Sequence, residues 1–148
     1  VRLRALLGVV LAVGLGVAAA EAQDDAGAAA DIVGNWSFET EVYDVTCHME
    51  GELVLKASGT ADVYLGDLVA FESCRGQQIY EARQSVVARR DGERLEIVST
   101  LVRVLPSPEH YAPDNFELTI VNGALMVGEL RSADIASATF RRRETLIG

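Results

Sequence analysis

The chain has 148 residues, a formal net charge of −9 at pH 7 and a composition that is 49% apolar. So acidic a surface repels nucleic acid and anionic lipid, which sets both aside as partners. The length suits one domain, and two cysteines alone cannot build a zinc site.

The N-terminus reads as a targeting segment. Arg2 and Arg4 precede an uncharged apolar run at residues 6–19, and Ala20-Glu21-Ala22 puts small residues where a signal peptidase reads. The run is too short, and too soon followed by Gln23-Asp24-Asp25, to cross a membrane. Residues 1–22 are therefore expected to be a cleaved Sec-type signal peptide. Val1 in place of Met fits a bacterial alternative start codon, so the expected destination is the periplasm or the medium. No cysteine near the cleavage site offers a lipid anchor, and Leu3 separates Arg2 from Arg4, so no twin-arginine signal is present. Residues 23–31 have no aliphatic side chain larger than alanine and read as a mobile N-terminal arm.

From Ile32 the pattern changes to period two. Trp36, Phe38, Thr40 and Val42 alternate with Ser37, Glu39 and Glu41, the mark of a half-buried strand. Cys47, Met49, Gly51, Leu53 and Leu55 then alternate with His48, Glu50, Glu52 and Val54. Residues 57–60 read as a turn, and 62–74 as an extended stretch broken by Gly66-Asp67. Residues 78–90 and 93–105 flank Asp91-Gly92, a pair that supplies the positive φ angles of a type I′ hairpin. Asn122-Gly123 repeats the device between 115–121 and 124–130, and a helical turn is conceivable at 130–136. The segment 138–143, with Phe140, is placed to close the sheet. Gln84 interrupts the apolar face of Tyr80, Ala82, Val86 and Ala88, and residues 95–104 are apolar on both faces. A bulge, or a strand covered on both sides, explains either case.

About eight short strands with hairpin turns predict an all-β domain over residues 32–148, a single antiparallel up-and-down barrel. An immunoglobulin-type sandwich is disfavoured, because its tryptophan lies between its cysteines and Trp36 precedes both. Cys47 and Cys74 allow one intramolecular pairing, and export would place them where disulfides persist. They are not a C-x-x-C redox pair.

No catalytic motif, cofactor site or metal-ligand set emerges, and the chain reads as a non-enzyme. His48 shares a face with Glu50 and Glu52 and reads as solvated. His110 and Tyr111 sit in a loop, residues 106–114, that holds all three prolines; it is a rigid connector or a contact surface at a barrel rim. Trp36, Phe38, Tyr80, Phe116 and Phe140 fall on aliphatic faces, where they fill a core or line a pocket. Eight strands leave room for either. The expected role is binding, as a monomer, of a small apolar molecule or a protein at the rim.

Gly34-Asn35-Trp36 resembles the G-x-W signature of the lipocalins and the wider calycin group. That resemblance implies a tryptophan on the first strand at the closed end of an eight-stranded barrel, with a late arginine over its ring. Among Arg141, Arg142 and Arg143, period two from an inward Phe140 selects Arg142. The chain is also similar to bacterial metalloprotease inhibitors of the Inh type, which implies an alternative role as a periplasmic protease inhibitor acting through its N-terminal arm.

Overall fold

In a computed structural model, which describes residues 30–145, the alternation resolves into eight strands. They are β1 (Gly34–Thr40), β2 (Cys47–Ala57), β3 (Val63–Cys74), β4 (Gln77–Asp91), β5 (Arg94–Leu105), β6 (Asn115–Asn122), β7 (Leu125–Arg131) and β8 (Ile135–Arg142). Each pairs antiparallel with the next, and β1 returns to β8, closing an up-and-down barrel. The expected signal peptide and the arm as far as residue 29 lie outside the described residues.

Several local expectations are corrected. Gly66-Asp67 does not break the third strand, which is continuous from Val63 to Cys74. A Cβ on Gly66 would sit 1.9 Å from the Val54 carbonyl oxygen, so the glycine marks a close approach of neighbouring strands rather than an end. At the β4–β5 hairpin Asp91 pairs with Arg94, so the two turn residues are Gly92 and Glu93. Gly92 has φ +60° and Glu93 does not have a positive φ, the pattern of a type II′ turn rather than I′. Asn122-Gly123 uses no positive φ at all. A bulge at Val121 precedes it, and the Asn122 Oδ1 accepts a bond from the Ala124 amide at 2.8 Å. Residues 132–134 form a tight connection, not a helical turn, because β7 and β8 run almost to it.

The two anomalies on β4 and β5 have separate causes. Val102 is an extra residue opposite Arg83 and Gln84, a bulge that leaves it 70% exposed. Gln84 stays on the inward face and is buried there, for a reason given below. The disulfide is formed, and it joins directly paired residues of β2 and β3, Cys47 and Cys74.

Inside, the barrel is filled. Phe38 stacks on Phe140 at 5.0 Å, and Phe116 meets them edge-on at 5.3 and 5.0 Å, a trio that occupies the middle of the interior. Leu53, Leu68, Ala82, Ile97, Met126 and Leu130 pack around it. Gly51 lies opposite Phe38, and a Cβ there would fall 2.6 Å from its ring. The outward positions carry charge instead, as with Glu39, Glu50, Glu52 and Glu96.

One wall is incomplete. β5 pairs with β6 only from Arg94–Thr119 to Ile97–Phe116, while its other edge pairs with β4 along its full length. Beyond Ile97 the seam is held by side chains. The Ser99 amide donates to Asn115 Oδ1 at 2.8 Å, and the Ser99 hydroxyl donates to the Asp114 carbonyl at 2.6 Å.

The end of the barrel that receives the N-terminus is clasped by Arg142. It faces Trp36 in register, with its guanidinium carbon 4.6 Å from the ring centroid. It donates to the carbonyls of Gly123 (2.5 Å), Val33 (2.7 Å) and Asp31. The Trp36 indole N–H donates to the Ile32 carbonyl at 3.0 Å. A Cβ on Gly34, whose φ is +136°, would come within 2.6 Å of the Arg142 Nη1. The glycine of G-x-W is thus the gap through which the arginine reaches the indole. Of the segment read as a mobile arm, Ala30 and Asp31 are described, and both carbonyls are held, by Arg90 and Arg142 respectively.

Two outcomes are expected. Arg142→Ala lowers stability by about 2–4 kcal/mol and shifts tryptophan emission, since charge-assisted bonds and a cation–π contact are lost together. Exposed Arg141→Ala changes stability by less than about 0.5 kcal/mol, and Arg143→Ala, which breaks an exposed pair with Glu52, by less than about 1 kcal/mol. Equal melting temperatures for all three variants would remove the clasp. Reduction of Cys47–Cys74 costs roughly 3–4 kcal/mol by the chain-entropy model, and native protein should take up no alkyl group without reductant; uptake of two would refute the bond.

Candidate functional site

An up-and-down chain puts the β1–β2, β3–β4, β5–β6 and β7–β8 connections at one end of the barrel, opposite the clasp. There the packed interior gives way to a cup of about 130 Å³. β1–β2 supplies Tyr43 and β2 supplies Met49; β3 and β4 supply Glu72 and Tyr80. The proline loop supplies His110, Tyr111 and Asp114, and the β7–β8 connection Ser132 and Asp134.

Asp114 is the centre of this group. It is fully buried, directly after the third proline and before β6. Gln84 and Asp114 grip each other. The Gln84 amide donates to Asp114 Oδ2 at 2.7 Å, and the Asp114 backbone N–H donates to Gln84 Oε1 at 2.9 Å. This is why a glutamine sits on the inward face of β4: it joins β4 to the loop that stands where the β5–β6 ladder has ended. The Tyr111 hydroxyl also donates to Oδ2, at 3.0 Å. The other oxygen, Oδ1, is buried and has no hydrogen-bond partner. A buried carboxylate oxygen without a donor is costly and calls for an explanation.

The electrostatics follow from burial. Desolvation pushes Asp114 up to about 6, partly offset by Gln84, Tyr111 and the neighbouring Ser132 hydroxyl. Burial, with Glu72 as hydrogen-bond partner at 2.8 Å, raises Tyr43 well above the ordinary phenol range. Burial and then Asp114 do the same to Tyr111. Both phenols therefore stay protonated near neutrality and act as fixed donors.

The seven aromatic and histidine candidates divide. Trp36, Phe38, Phe116 and Phe140 are buried in the core or under the clasp and do not reach the cup. Tyr80, His110 and Tyr111 do line it, and Tyr80 meets Tyr111 edge-on at 5.6 Å. Tyr43, Glu72 and Asp114 carry no sequence signal of a site role, and neither histidine nor aromatic patterning points to Gln84. The one signal among them was Gln84, a polar residue on an apolar face.

Among the described residues, the three potential metal-ligand atoms that gather within 4.8 Å of one another are those of Cys47, Glu72 and Cys74. The sulfurs are bonded to each other, so this group does not form a metal centre. A larger concavity of about 520 Å³ lies on the outer wall, bordered by Glu39, Glu50, Glu52, Arg141 and Arg143. Those side chains are solvated, and neither this concavity nor one of about 940 Å³ outside Leu101–Leu105 and the proline loop holds a buried polar group, whereas the cup does.

The shifted aspartate makes a pH prediction. The folded state holds the Asp114 proton more tightly than the unfolded chain, whose value is near 3.8. Its stability contribution is therefore full below about pH 4, falls as pH rises to about 6, and is flat above. The loss is on the order of 3 kcal/mol. Chemical denaturation of wild type and Asp114→Asn from pH 4 to 7 tests this. The wild type should lose stability across the window relative to the variant, and parallel curves would contradict the assignment.

No family model matches this chain, and no curated protein matches it. Among solved structures it is similar to a de novo designed fluorescence-activating β-barrel. The TM-score is 0.52 at 22% identity, covering 78% of this chain and 97% of that one. At that identity the likeness carries the fold, a small eight-stranded antiparallel barrel.

Proposed function

We propose that this chain is an exported, non-catalytic binding barrel that takes a small ligand in the cup at its mouth. The observation that carries the reading is the buried, unpartnered Oδ1 of Asp114, an acceptor held ready beside a cavity. The stacked phenylalanines argue against an apolar ligand deep in the barrel, which moves the binding position to the rim. Phenols that stay protonated are fixed donors rather than groups poised to move protons, and Gln84 holds the carboxylate in one orientation. Gly34, Trp36 and Arg142 favour a calycin-like ancestry for the barrel. The bonded cysteines favour an oxidising compartment, in keeping with the N-terminal segment. An apolar interior and charged exterior are the reverse of a membrane barrel, which supports a life in water after cleavage.

The protease-inhibitor alternative would place the contact surface at the opposite end, where Ala30 and Asp31 are held. One fragment screen by nuclear magnetic resonance separates the two. Fragments should shift resonances of Tyr80, Tyr111 and Ala133, and Ala112→Phe, which fills the cup, should reduce their affinity at least about tenfold. Residues 30–148 alone should bind as well as the longer chain. Shifts confined to Phe38 and Phe140, or binding lost on removing residues 23–29, would overturn the reading.

A further inference from the structure

The cup's chemistry narrows its ligand class. We infer that it binds a small organic ammonium ion, with an N–H of the ligand donating to Asp114 Oδ1. This rests on the cup being the binding site.

Four observations converge. First, Oδ2 is saturated by Gln84 and Tyr111 while Oδ1 has no bonded partner, the neighbouring Ser132 hydroxyl donating to the Ala112 carbonyl at 3.2 Å, so the missing partner is a donor, and a charged donor makes the stronger bond to a carboxylate. Second, the lining carries Glu72, Asp114 and Asp134 with no lysine or arginine, which favours a cation and repels an anion. His110 is the sole basic side chain there, and it is exposed. Third, Tyr43, Tyr80 and Tyr111 surround the same space, and aromatic rings attract a partly desolvated cation. Fourth, the volume suits a handful of heavy atoms, since an apolar cavity of about 150 Å³ admits benzene.

A metal ion fits less well. The carboxylates of Glu72, Asp114 and Asp134 do not gather within the 4.8 Å that groups ligands around one ion, whereas a calcium ion draws six to eight oxygens to about 2.3–2.6 Å. An organic cation needs no such convergence. One N–H reaches Oδ1 on a small shift of the side chains that cover it, and the alkyl portion lies against Met49, Leu130 and the tyrosine rings.

Three probes of one frame test the class: isobutylammonium, isobutanol and isobutyrate, titrated into the full chain and followed by amide and side-chain resonances. Isobutylammonium should bind with a dissociation constant of about a millimolar or below, at least tenfold tighter than isobutanol, with isobutyrate inert. Asp114→Asn should erase that tenfold preference. Should that variant fail to fold, Glu72→Gln, which keeps the bond from Tyr43, should weaken the ammonium alone. Equal binding of alcohol and ammonium in the cup would overturn the ammonium class and leave the cup as a site. Ammonium shifts spread over Glu39, Glu50 and Glu52 as strongly as over Tyr80 and Tyr111 would overturn the class as mere surface screening. No shift at the cup from any probe or fragment would overturn both readings.

Discussion

Closing eight strands on themselves requires the first and last to meet, and the rest of this molecule is arranged around that meeting. β1 and β8 pair from Trp36–Arg142 to Thr40–Ala138. This puts Phe38 directly opposite Phe140, so the aromatic trio and the closure are one event. The clasp at Trp36 then draws in the carbonyls of Asp31, Val33 and Gly123. A single guanidinium thus ties the incoming chain, the β6–β7 turn and the final strand. A neutral side chain there would leave these three carbonyls, two of them part-buried, without their charged donor.

The closed end and the mouth differ in kind. At the closed end Arg90, Arg142 and the Trp36 indole donate to backbone carbonyls. At the mouth, side chains pair with side chains, and one oxygen is left over. Gln84 and Asp114 do for the mouth what a backbone ladder does elsewhere, because the chain leaves β5 through a proline loop that has few N–H groups to give. The cost of burying a carboxylate there is offset by the reciprocal grip, in which Gln84 meets one side-chain oxygen and the backbone N–H of Asp114.

The fold was largely legible in residue order, and the site was not. Alternation through Trp36, Phe38, Met49, Leu53 and Phe116 announces inward faces, and the pairing of two lone cysteines needs no geometry. Turn detail was less legible, because Asp91-Gly92 and Asn122-Gly123 look alike while a bulge at Val121 gives them different backbones. The cup escaped for a different reason. Its residues are spread over 92 positions from Tyr43 to Asp134 and share no period. An aspartate after a proline reads as surface until the glutamine that buries it is placed thirty residues earlier in the chain.

The truncated ladder between β5 and β6 gives the wall unequal strength along its height. Opening a seam costs the bonds that cross it, and above Ile97 few backbone bonds do. Amides of the upper half of β5 that face the loop are therefore first to exchange with solvent, while those toward β4 follow the whole domain. Such a seam also restores over half a strand the free edge that closure removes elsewhere. The prolines beside it cannot complete a ladder, and Arg103 sets a charge on it, so another strand adding there would meet a bulge and a cation. Opening at the mouth therefore starts at this one seam and leaves the aromatic interior undisturbed.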